Sequence, residues 1–273
     1  MRLRTGLSLV LLTLLCVGCG KNNSETGSGD TGVDTDGFIP RGDTGDEECS
    51  NTLAVTFRDF TPTTHPDFQK IAFSSPSSGV AKLGAVENDL GDDGNPVFAE
   101  REPPITTGPE EFAQWYETVE DVNMEFKSTL ELTKEESGAY VYDSTAFFPI
   151  DNKGFGNFVE VGECDGVGEG EVAHNFHFTT EIHTTFAYGG DEVFTFRGDD
   201  DVWVFVNGKL ALDLGGLHVK LEGTIDFKEM ESELGITPGN TYSLDVFHAE
   251  RHTCASQFRI ETTIRCFSGP FVF

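Results

Sequence analysis

Three carboxylates follow one another at Asp199, Asp200 and Asp201, directly ahead of the apolar run Val202 to Val206. Neighbouring acids repel, and on a regular strand successive side chains point to opposite faces. Adjacent carboxylates can therefore share one target only where the backbone breaks its pleat. Calcium takes 6–8 oxygens at about 2.3–2.6 Å and would supply the neutralising charge, whereas magnesium suits an irregular cage less well. The plainer reading is a turn, since Asp is common there. A second constellation is Phe247-His248-Ala249-Glu250-Arg251-His252. At a period of two, His248, Glu250 and His252 lie along one face, an arrangement suited to shared ligation. It is not the zinc-protease pattern, which needs histidines four apart on a helix with Glu directly after the first. Packing of the two histidines is the simpler alternative.

The surrounding segments must hold these groups in place. Val202-Trp203-Val204-Phe205-Val206 and Leu210-Ala211-Leu212-Asp213-Leu214 flank Asn207-Gly208, a pair that accepts the positive φ angles of a type I′ turn, so a hairpin is expected there. Apolar residues on both of its faces place it centrally in a sheet. Period-two apolar spacing recurs at Leu53, Val55 and Phe57; at Met124, Phe126, Leu130 and Leu132; at Phe176 and Phe178; at Tyr242, Leu244 and Val246; and at Phe258 and Ile260, with further strand residues at Val193 and Ile264. Pro109, Glu110 and Glu111 read as the first turn of one helix, with Phe112, Trp115, Tyr116 and Val119 on its apolar face. No internal repeat is visible. The expected fold is all-β, a single antiparallel sandwich with one short helix.

Arg2 and Arg4 precede the apolar run Leu7 to Val17, an export signal too short to span a bilayer, which takes about 20 residues. Leu15-Cys16-Val17-Gly18-Cys19 resembles a bacterial lipobox, with Cys16 where leucine is usual; it implies cleavage after residue 18 and lipidation of Cys19. Plain signal cleavage, or a misassigned start codon, is the alternative. Residues 19–48 are acidic and rich in Gly, Ser, Thr and Asp, a flexible linker by composition, and 49–273 form the expected domain. The chain carries 47 Asp and Glu against 18 Lys and Arg, a formal net charge of −29. Such a charge repels nucleic acid and anionic lipid surfaces and draws in cations. Membrane contact is then expected only through the lipid anchor, and localisation in the cell envelope or at the cell surface. In an oxidising compartment Cys49, Cys164, Cys254 and Cys266 can pair in three ways. Cys49 with Cys266 is favoured, because these flank the first and last strand-like segments and domain termini often lie close; Cys164 with Cys254 follows. Free thiols are the alternative.

The run from Phe194 to Lys209, then Asp213-Leu214-Gly215-Gly216-Leu217-His218, then Leu244 to His252, resembles the fibro-slime domain. Val55-Thr56-Phe57-Arg58-Asp59-Phe60, His65-Pro66-Asp67-Phe68 and Phe148-Pro149-Ile150-Asp151 fit the same pattern, so the resemblance spans about residues 51 to 265. Fibro-slime domains are found in extracellular matrix and cell-surface proteins and are similar to PA-fourteen domains, the sandwich of protective antigen and of yeast flocculin lectins. The flocculin-type likeness implies calcium held by two consecutive Asp joined by a cis peptide, here Asp199 and Asp200, with Glu250 near the position of an Asn that also holds sugar. Glu keeps an oxygen ligand but adds charge. Protective antigen has the same fold without lectin activity.

These readings lead to a non-catalytic binding or adhesion module for polysaccharide or cell-surface glycan, with calcium and ligand held by Asp199, Asp200 and Glu250 and ligand also by His252. Trp115, Tyr188, Trp203 and Tyr242 are aromatic candidates for stacking on sugar, and also candidates for the core. The alternative is a structural or protein-interaction scaffold of the envelope or matrix without sugar binding. A glycoside hydrolase is less favoured, because among 47 acids some pair always meets the required separation. Arg197-Gly198-Asp199 spells an integrin-like tripeptide but reads as part of the loop before the hairpin, with Gly198 permitting a tight backbone.

Overall fold

A computed structural model describes residues 50–69, 79–157, 173–253 and 255–268. The expected signal peptide, the lipidation site Cys19, the linker 19–48 and the cysteines Cys49, Cys164 and Cys254 lie outside the described residues.

Fourteen strands and two short helices follow in the order β1 (Thr52–Asp59), β2 (Val86–Leu90), β3 (Pro96–Phe98), α1 (Pro109–Ala113), β4 (Met124–Glu131), β5 (Thr133–Lys134), β6 (Tyr140–Ser144), β7 (Phe178–Tyr188), β8 (Val193–Gly198), β9 (Asp201–Val206), β10 (Lys209–Leu214), β11 (Leu221–Asp226), α2 (Glu231–Leu234), β12 (Asn240–Glu250), β13 (Phe258–Thr262) and β14 (Phe267–Ser268) among the described residues. The larger sheet runs β3-β2-β10-β9-β12-β7-β1-β4, with β14 also on β7; the smaller runs β11-β8-β13-β6-β5. The fold is thus an all-β antiparallel sandwich. Two helices stand where one was expected, α2 being a single turn closed by Gly235 at φ 66°.

Alternation along each strand makes two cores. Leu244 and Val246 of β12, Val202, Val204 and Val206 of β9 and Phe57 of β1 face the smaller sheet, where Phe194, Phe196, Phe258 and Ile260 meet them. Phe247 and Ala249, with Trp203 and Phe205, face outward into a second core capped by Phe60, Phe68, Phe112, Trp115 and Tyr116. Every residue of β9 is buried, which is why its sequence is apolar on both faces; each such side chain contributes about 1.5–3 kcal/mol. The hairpin closes through Asn207 at φ 53° and Gly208 at φ 72° with Val206 opposite Lys209.

One expectation needs correction. The helix stops at Ala113, and Trp115 and Tyr116 reach the outer core from turns beyond it. Asn123 ends it physically, donating from Nδ2 to the carbonyls of Gln114 at 3.0 Å and Glu117 at 2.8 Å. β4 pairs with β1 at the sheet edge and is half-buried as its period-two pattern implies: Leu130 and, just beyond the strand, Leu132 join the inner core, Phe126 packs against it, and Met124 at the strand's start is 41% exposed. Ser50 and Phe267 exchange backbone hydrogen bonds of 3.0 and 3.1 Å, so the first and last described segments are neighbours. Cys266 is disulfide-bonded.

Candidate functional site

Three times the chain crosses between the sheets at the same pole of the sandwich. It passes from β8 to β9 through Asp199 and Asp200, from β10 to β11 through residues 215–220, and from β12 to β13 by a third crossover whose described residues are 251–253 and 255–257. Register fixes the convergence, because Gly198 faces both Leu221 and Phe258, while Asp201 pairs with Ala249. Long backbone hydrogen bonds tie the crossovers, Asp199 N to the Gln257 carbonyl at 3.4 Å and Asp200 N to the His218 carbonyl at 3.5 Å. A side chain at position 198 would stand 2.6 Å from the Gln257 carbonyl oxygen, so only glycine lets these strands approach.

The pleat does break at the acid run. Asp200 adopts φ 55°, and the Asp199–Asp200 peptide is trans, correcting the cis bond that the resemblance implied. Asp201 then faces the outer core, where its Oδ1 accepts from Gly216 N at 2.6 Å and its Oδ2 from Arg251 Nε at 2.7 Å. Arg251 Nη2 lies 2.6 Å from the same oxygen, off the line of a hydrogen bond. Both side chains are fully buried. Arg251 Nη1 also donates to the carbonyls of Ile105 at 3.0 Å and Asp67 at 3.3 Å, and the guanidinium sits 4.6 Å over Trp115. Asp67 is saturated: it accepts from Thr106 Oγ1, Thr107 N, Thr107 Oγ1 and Trp115 Nε1.

On the inner side the balance is different. Glu250 is wholly buried and neither carboxyl oxygen has a hydrogen-bond partner, nor has Asp199 Oδ2. Asp200 Oδ2 accepts from Arg251 N at 2.9 Å. Ser256 and Asp200 lie close enough to Glu250 to bias its protonation, yet Ser256 Oγ is turned to the Phe147 carbonyl. Burial, reinforced by the charge of Asp200, pushes the Asp199 carboxyl up to about 6. Burial, then the charges of Asp200 and Asp199, hold Glu250 well above the usual carboxylate range. Burial also raises Asp200, with Arg251 pulling the other way. Among the described residues no group of three or more His, Cys, Asp or Glu side chains is placed so as to hold a metal ion. What stands here is a group of mutually repelling carboxyls with unmatched acceptors, which a hard divalent cation or protons could neutralise.

The other expected residues fall as follows. His248 shares the inner face with Glu250 but is a core residue, its Nδ1 near Thr180 Oγ1 at 3.1 Å and its ring among Phe147, Phe178 and Phe258. Burial drives it down to about 3. His252 lies beyond the end of β12 and does not continue that face; its Nδ1 meets the Thr253 carbonyl at 2.8 Å. Trp115, Trp203 and Tyr188 are at most 1% exposed and form core, which removes them from sugar stacking. Half-buried Tyr242 is bound at its hydroxyl by Thr237 N at 2.9 Å. Asp199 is buried and Arg197 faces Asp143 at 3.5 Å, so the tripeptide is not displayed. Sequence reasoning missed Arg251 and Asp67. The signal available was the placement of Arg251 two residues beyond Ala249, on a face otherwise apolar.

The chain is 40% identical over 215 residues to protein psiQ of Dictyostelium discoideum, covering 78% of this chain and 21% of that protein. It is 40% identical over 189 residues to protein psiD of the same organism, covering 66% and 36%. The chain therefore spans well under two thirds of the length of these relatives. Among solved structures, the PA14 domain of an antifreeze protein, MpAFP, aligns over 85% of this chain and 100% of that one at 7% identity, TM-score 0.34. A PA14 sugar-binding domain from an RTX adhesin aligns over 33% and 47% at 17% identity, TM-score 0.25. Residues 135–265, which hold β6 to β13 together with Asp199, Asp200, Glu250 and Arg251, match the family model of the PA14 domain.

Proposed function

We propose that the chain is a non-catalytic extracellular binding or adhesion module that recognises polysaccharide or cell-surface glycan at the pole where the three crossovers meet, with calcium organising the site. The observation that carries this reading is the set of unpartnered, buried oxygens on Glu250 and Asp199. Leaving a buried carboxylate unmatched costs several kcal/mol, and a sandwich gains nothing by placing such groups side by side unless something neutralises them. Asp199, Asp200 and Glu250 would hold the ion by side-chain rotation, and an open coordination position would accept sugar hydroxyls beside His252. The PA14 match over this segment and the sugar-binding description of one similar domain support the same reading. So does the likeness to fibro-slime domains.

The signal sequence and the cysteine pattern extend the proposal. Cys19 carries lipid and holds the domain in the envelope or at the cell surface, Cys266 pairs with Cys49, and Cys164 pairs with Cys254. Mass spectrometry of the mature protein tests all three, and an unmodified Cys19 or a different peptide pairing rejects the corresponding part.

Calcium titration of thermal stability tests the site. At calcium near 100 times its dissociation constant, about 2.7 kcal/mol of stabilisation is expected. Asp199→Asn and Glu250→Gln should abolish the calcium response without destabilising the calcium-free protein, because each removes a buried, uncompensated charge. Asp43→Ala in the linker should leave the response intact. Equal behaviour of all three variants would reject these ligands. A glycan array read with calcium and then with chelator identifies the sugar, and turnover of any labelled polysaccharide would overturn the non-catalytic assignment.

A further inference from the structure

The two segments that supply the proposed ligands also supply a buried ion pair, one residue further along each. Asp200 is followed by Asp201 and Glu250 by Arg251. The break at Asp200 turns Asp199 and Asp200 toward Glu250, while Asp201 points to the opposite side of the sheet and meets Arg251 there. β9 and β12 are paired up to Asp201 and Ala249, so the clasp lies at the last rung of that pairing, one residue before β12 ends at Glu250 opposite Phe178 of β7. Beyond that rung no backbone pairing of β9 with β12 links Asp200 to Glu250. Arg251 closes the gap twice, through its backbone N–H to Asp200 Oδ2 and its guanidinium to Asp201. Its remaining bonds, to the Asp67 and Ile105 carbonyls, anchor the clasp in the outer cap against Trp115.

We propose that Arg251, paired with Asp201, is a positioning residue for the cation site: it sets the spacing of Asp199, Asp200 and Glu250 from the far side of the sheet and makes the Trp115 cap sense occupancy of the site. The inference rests on the cation reading given above. An ion pair of this kind is a costly way to gain stability, since well-packed apolar residues often serve as well or better. Register and orientation are what such a pair can add. Partners of metal ligands commonly change affinity by 10–100-fold when removed.

The test removes both charges together, because Arg251 alone cannot go without stranding Asp201 in the core. In the full chain carrying Asp201→Asn with Arg251→Met, calcium is titrated while the melting temperature and tryptophan fluorescence are followed; the chain's two tryptophans, Trp115 and Trp203, both lie in the outer core. The unaltered protein should show a saturable rise in melting temperature and a fluorescence change with the same calcium midpoint. The folded double variant should need at least about tenfold more calcium and lose the fluorescence change. An unchanged midpoint in a folded variant overturns the positioning role and leaves the cation site standing. If the double variant does not fold, Arg251→Lys decides by the same criterion, because it keeps the charge and loses the planar fork. No calcium response in the unaltered protein overturns the cation reading and the positioning role together.

Discussion

Glu181, His183 and Asp245 form a chain of charge on the outer face of β7 and β12. His183 places Nδ1 2.8 Å from Asp245 Oδ1 and Nε2 2.6 Å from Glu181 Oε1, and Arg58 pairs with the other Glu181 oxygen. Burial pulls the imidazole down, but the bonds to Asp245 and Glu181 outweigh it and hold it at about 9. A folded value above the unfolded one of 6.5 means that the stabilisation is complete below about pH 6.5 and is lost as pH rises through about 9. Chemical denaturation between pH 6 and 10 should show that decline, and His183→Gln should flatten it. A profile unchanged by the substitution would remove His183 from the account. Little of this was readable beforehand: Glu181 and His183 are two apart on a strand, but their partners Asp245 and Arg58 come from distant segments. Asp199 and Asp200 were legible because repulsion between adjacent acids is a local fact. Arg251 was not, since its acceptors Asp67 and Ile105 lie far back in the chain.

At the level of elements, the hairpin was the most readable feature because turn and pattern agree locally. Gly208→Val should cost about 1–2 kcal/mol, the penalty for a β-branched residue held in the left-handed region, and should leave the calcium midpoint alone because the turn lies at the pole opposite Asp201. Urea melts with and without calcium measure both quantities, and a shifted calcium midpoint would show that the poles are not independent. The helix was over-read for a physical reason. Phe112, Trp115, Tyr116 and Val119 do fit a helical face, but Trp115 and Tyr116 meet the outer core only after the chain has left α1. The β4 pattern was legible, since its alternation places Phe126, Leu130 and Leu132 on the covered face of an edge strand.

For the molecule as a whole, the fold class followed from many short alternating segments; the central run Val202 to Val206 showed a strand covered on both faces, but the division into two cores was not read from it. The pairing order of the sheets was not legible, because β9 pairs with β12 across a long stretch of intervening chain. Cys266 is disulfide-bonded and stands next to Phe267, whose backbone pairs with Ser50. Reduction or Cys266→Ser should lower stability by about 2–5 kcal/mol, seen as a lower melting temperature at equal calcium. No loss on reduction would mean that the strand pairing alone secures that end.

The direction of β1 has a mechanical outcome. It enters from Ser50 at one pole and ends at Asp59 beside the crossovers, held between β4 and β7. A pull exerted by something gripped at the crossovers and resisted through Ser50 would run along these strands, so their rungs would slide in unison instead of parting one by one. Geometry of that kind lets a small domain endure traction.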